Sequence, residues 1–74
     1  MNIQTVAENL RNTIAGKEKM LEEVRQARAD NGYGPGDIAQ DASLFATQEF
    51  LKVNIDELRR ILQDVEQCID KAEV

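Results

Sequence analysis

Asp30, Asp37 and Asp41 are the carboxylates whose spacing comes nearest to a binding chemistry, since Asp30 and Asp41 fall at the first and twelfth positions of a calcium loop. The residues between them lack the donors. Gly32 and Gly34 stand third and fifth, where side-chain oxygens are needed, and Pro35 stands sixth, where glycine must turn the chain. Cys68 has no histidine or second cysteine with which to share a zinc ion within one chain. Gly32, Gly34 and Gly36 do not form a phosphate loop, because no Lys-Ser/Thr pair follows them and no strand precedes them. No metal or cofactor is expected.

Nucleophilic and acid–base chemistry fare no better. With no histidine, one serine (Ser43), one cysteine and one tyrosine, the usual pairing of a nucleophile with a base cannot be assembled. The adjacent carboxylates Asp56 and Glu57, or Glu22 and Glu23, point in different directions on a helix and read as solvated charge. Asp56 with Arg60 and Lys19 with Glu23 are four residues apart and read as surface ion pairs. The chain is therefore not expected to be an enzyme.

The elements behind these residues are easier to read. From Leu44 onward apolar residues recur every three and four positions: Leu44, Leu51, Ile55, Leu58, Leu62, Val65, Ile69 and Ala72, with Gln48 alone out of character. An earlier stretch carries Ile3, Val6, Leu10, Ile14, Met20, Leu21, Val24 and Ala27 at helical spacing. Heptads written through Ile3, Leu10, Lys17 and Val24 put Val6, Thr13, Met20 and Ala27 at the companion core positions, with Ala7, Ile14 and Leu21 beside them. Thr5 and Glu8 have the spacing of a capping box, and so do Asp37 and Gln40. In the middle of the first helix Thr13, Gly16 and Lys17 weaken the core. The glycine reads as room for a neighbouring helix or, with its neighbours, as a polar layer that sets register.

These signals predict one all-α domain: a helix over about 3–29, a Gly-rich loop over about 30–37 and a helix over about 38–72, folded as an antiparallel hairpin. Asn31 and the glycines are expected to close the first helix in the left-handed conformation. A compact 8.3 kDa globule exposes roughly 4,600 Å², and a rod of this mass buries less. Assembly of two hairpins into a dimeric four-helix bundle supplies the missing burial, with Leu10, Ile14, Leu51, Ile55, Leu58, Leu62, Val65 and Ile69 as its core. Phe45 flanks the seam on one side, and Ile61 and Cys68 on the other.

The formal net charge of −5 and pI near 4.6 disfavour nucleic acid and anionic membranes as partners. A lone cysteine and no signal segment fit a cytoplasmic protein. The functional signal lies on the back of the second helix. Ala39, Ala46 and Val53 fall opposite the seam with Phe50 beside them, so the helix is apolar nearly all round between Ile38 and Val53. An all-apolar helix is normally buried on every face. The loop could fold back with Tyr33 and Pro35 over Phe50, a second copy could pack there, or another protein could use it. Tyr33, Ala46, Phe50 and Val53 are the residues expected to contact a partner protein, as in an adaptor, a chaperone or an inhibitor of the phage or mobile-element type.

The layout resembles that of small bacterial and phage hairpins that dimerise as four-helix bundles, such as the plasmid-copy-number regulator Rop. That resemblance implies an alternative, a nucleic-acid-directed regulator using Arg11, Lys19, Arg25 and Arg28. Thr47-Gln48-Glu49-Phe50-Leu51 is similar to the Ser-Gln-Glu-Leu-Asp signature of a group of small aspartyl-phosphatase hairpins, but Leu51 stands where that signature has its aspartate. A small-ligand sponge, with pockets between subunits and Tyr33 stacking on a ring, is a further alternative.

Overall fold

The computed structural model describes residues 2–72 and shows two α-helices, α1 (Ile3–Asp30) and α2 (Pro35–Ala72), packed as a helical hairpin. The hairpin is a rod of 59 × 17 × 15 Å.

Helix α1 begins earlier than the Thr5 capping box implies. Asn2 is the N-cap: it is extended, its Oδ1 accepts the Gln4 amide at 2.7 Å, and its carbonyl accepts the Val6 amide at 3.1 Å. Asparagine is among the strongest N-caps, and Ala7, just over one turn on, is fully buried.

The other end also closes differently from expectation. Asn31 is extended (φ −74°, ψ 150°) and its amide reaches back to the Arg28 carbonyl at 3.2 Å. No described residue has a positive φ. Only Asn31 to Gly34 remain as loop, because Pro35 starts α2, a first-turn position where its fixed φ is favourable and no amide is required. Asp37 is then not the cap but the third helical residue. Its Oδ2 accepts the Gly34 amide at 3.2 Å, and the Gly34 carbonyl accepts the Ile38 amide at 2.9 Å. The carboxylate lies so close over the loop that a Cβ on Gly32 would stand 2.6 Å from Oδ2. Close approach, rather than a left-handed turn, is what glycine serves there.

The seam of α2 follows the predicted register. Leu51 and Ile55 are buried, and Leu44, Leu58, Leu62, Val65 and Ile69 are half-buried; the side chain of Ala72 lies outside the described residues. The stripe of α1 is rotated from the predicted one. Ala7, Ile14 and Leu21 are its buried centre, Leu10, Lys17 and Val24 are half-buried beside them, and Thr13, Met20 and Ala27 are exposed. At the middle of the helix the rotation buries Ile14 in place of the hydroxyl-bearing Thr13. Ile14, Leu21, Leu51 and Ile55 form one cluster, with Val24, Leu58 and Leu62 packed against it.

Gly16 makes no room for the other helix of the hairpin. It is exposed, and a Cβ there would meet nothing within 4 Å. Among the described residues the pairs Asp56–Arg60 and Lys19–Glu23 do not form. Cross-helix pairs appear instead, Arg11–Glu66 at 3.1 Å and Arg59–Glu18 at 3.0 Å.

Candidate interaction surface

Helix α2 has 38 residues against 28 for α1, so its first turns overhang the end of α1 by roughly 15 Å. The main side-chain tie to this overhang is Arg28. Arg28 reaches past the last turn of α1, where its Nε donates to Asp41 Oδ1 at 2.9 Å and Nη2 to Oδ2 at 3.3 Å. Its Nη1 donates to Gln48 Oε1 at 3.1 Å, and its guanidinium lies 5.0 Å from the centre of the Phe45 ring. The hydrogen bond from Arg28 holds Asp41 below the usual carboxylate range against the opposing effect of desolvation. The same bond raises the Arg28 pKa. A second tie runs along the loop, where Asn31 Nδ2 donates to the Asp37 carbonyl at 2.6 Å.

This cluster explains Gln48. The single polar residue of the α2 seam answers the single arginine of the α1 seam, and Arg28 continues the seven-residue series Ala7, Ile14, Leu21. Sequence reasoning missed the pair, although a lone polar residue in an apolar seam is a signal to look for its partner. Two members of the basic set on α1 are thereby engaged by acids, Arg28 by Asp41 and Arg11 by Glu66.

Beyond the bracket, the back of α2 is uncovered in the single hairpin. Phe50 is 66% exposed and Val53 62%, and Ala39 and Ala46 are exposed with them. The loop does not fold back over this strip. Tyr33 is 96% exposed and stands at the loop end, neither a lid on the hairpin nor a cover for Phe50. Ile38 and Phe45 are also exposed, on the flank where Arg28 reaches Asp41. The structure thus places Ala46, Phe50 and Val53 on one surface of α2, with Tyr33 at its loop end rather than packed against it.

The concave features are shallow. An open cleft of about 380 Å³ lies between the helices, with Glu18, Glu22, Arg25, Lys52, Asp56 and Arg59 on its walls. Its opposed charges offer no single sign to a ligand. Among the described residues no group of three or more carboxylates or Cys68 is placed to hold a metal ion, and no helix is long and apolar enough to cross a membrane. Compared with family models, with curated proteins and with solved structures, the chain matches none of them.

Proposed function

We propose that this chain is a small non-enzymatic protein–protein interaction module, which self-associates as a dimeric four-helix bundle and binds or inhibits a partner protein as an adaptor, chaperone or inhibitor. One observation carries the reading: Ala46, Phe50 and Val53 line up as an exposed apolar strip on the face of α2 that the hairpin seam leaves free. Exposed apolar residues scattered singly are ordinary, but a contiguous strip marks a contact surface. Tyr33 adds a rotamer-poor aromatic at the loop end, a residue type enriched among binding hot spots.

The engagement of Arg11 and Arg28 by acids, together with a net charge of −5, weighs against the nucleic-acid alternative. Phosphate contacts need free basic groups. The test is a double substitution, Phe50→Asp with Val53→Asp, in the tagged full chain. Capture of the partner protein is expected to be lost while helical content by circular dichroism is kept, since both side chains already face water. Unchanged capture in the double variant would end this reading.

A further inference from the structure

The two flanks of the hairpin seam differ in kind. Along one, Arg11 and Glu18 of α1 pair with Glu66 and Arg59 of α2, and Arg25 and Lys52 share the same cleft. Every one of these residues is charged, and the flank supplies its own partners. The opposite flank is built from the residue immediately before each seam position. On α1 these are Val6, Thr13, Met20 and Ala27, ahead of Ala7, Ile14, Leu21 and Arg28; on α2 they are Thr47, Asn54, Ile61 and Cys68, ahead of Gln48, Ile55, Leu62 and Ile69. None of the eight carries a charge. In a chain with 31% charged residues, three heptads on two helices without one is a marked departure.

Three further observations bear on this flank. Met20 is 52% exposed and Ile61 50%, so its two largest aliphatic side chains are left half in water by the single hairpin. Asn54 Oδ1 is shut off from solvent yet has no hydrogen-bond donor, which is rare for a buried polar atom. The chain also exposes 5493 Å² against roughly 4,600 Å² for a compact globule of its mass, an excess of about 900 Å². A standard interface covers about 800 Å² on each partner.

We propose that the uncharged flank, centred on Met20, Asn54 and Ile61, is the surface through which two copies of this chain associate. A second copy is the occupant because the eight residues carry no charge to select an oppositely charged protein, with half-buried Lys17 on the seam side of Thr13 and Met20, and a face so poor in charge meets itself under twofold symmetry with little like-charge repulsion. The excess surface of one hairpin matches what one side of such a dimer covers. Asn54 Oδ1 is enclosed by its own hairpin, so a donor from a facing copy reaches it only when the amide turns outward, which an amide without an internal partner loses no hydrogen bond in doing. Ala46 and Val53 point away from this flank and stay open in the dimer, while Phe50, one turn from Thr47 and Asn54, lies at the border between the two surfaces.

The inference rests on the reading of the chain as a self-associating module, and the two can fail separately. Light scattering on the full chain at about 100 µM is expected to give twice the 8.3 kDa of one chain. Met20→Glu and Ile61→Glu, which place a charge on the flank, are expected to weaken association about 100-fold, while Val53→Glu leaves the mass unchanged. A wild-type monomer would overturn self-association itself. A dimer that survives both flank substitutions would overturn the choice of face and leave self-association standing. A second measurement needs no substitution: Cys68, at the end of the flank, is expected to be alkylated more slowly as concentration rises and the mass doubles. An alkylation rate independent of concentration across that range would also overturn the proposal.

Discussion

At the scale of single residues, Arg28 does the most to join the two helices outside the apolar cluster. It replaces a core side chain at the end of the α1 stripe, and its fork is filled by Asp41 and Gln48 with Phe45 below it. Asp41 is held below its ordinary range in the folded chain. Its contribution is therefore fully present above the unfolded value of about 4 and is lost as pH falls through the depressed folded value. Urea denaturation is expected to show the wild type losing stability through that acid window. Asp41→Asn should start less stable at neutral pH and show a shallower acid-side loss. An identical pH profile for the two chains would mean that the Arg28–Asp41 pair contributes nothing to folding.

At the scale of elements, the two helix starts are set by different local devices, and both were only partly legible. Asn2, Pro35 and Asp37 are all residues that helix starts favour, yet the sequence offers Thr5 and Asp37 as rival caps. Gly16 is a weak point within α1 that no close contact across the hairpin repays. Gly16→Ala is expected to raise stability by about 1 kcal/mol, read as a higher urea midpoint at unchanged slope. A loss of stability would show that a second copy comes close at Gly16.

For the whole molecule, the dominant fact is that a rod 59 Å long has, among the described residues, only five buried apolar ones, Ala7, Ile14, Leu21, Leu51 and Ile55. So thin a core gains from any contact that covers more of it. If two hairpins associate, thermal unfolding depends on concentration, because the folded dimer is favoured by mass action. The midpoint is expected to rise by several degrees over a roughly hundredfold increase in concentration. A midpoint that does not move would show that the hairpin is stable alone and that its exposed apolar residues serve other partners. In the proposed reading the two roles fall on two surfaces: an uncharged flank for a second copy, and the strip around Phe50 and Val53 for a different protein.

Periodicity alone was enough to specify two helices, a short turn between them and the seam of α2, because apolar residues spaced every three and four positions can share one side of a helix in only one way. It was also enough to show that the first turns of α2 are apolar on more than one face. Packing was needed to choose between two overlapping apolar stripes on α1, one through Val6, Thr13 and Met20 and the other through Ala7, Ile14 and Leu21. Those rows differ by one residue, about 100° around the helix, and only the facing surface of α2 distinguishes them. The partner of Gln48 and the exposure of Phe50 depend on the same choice, since both follow from which sides of two helices meet.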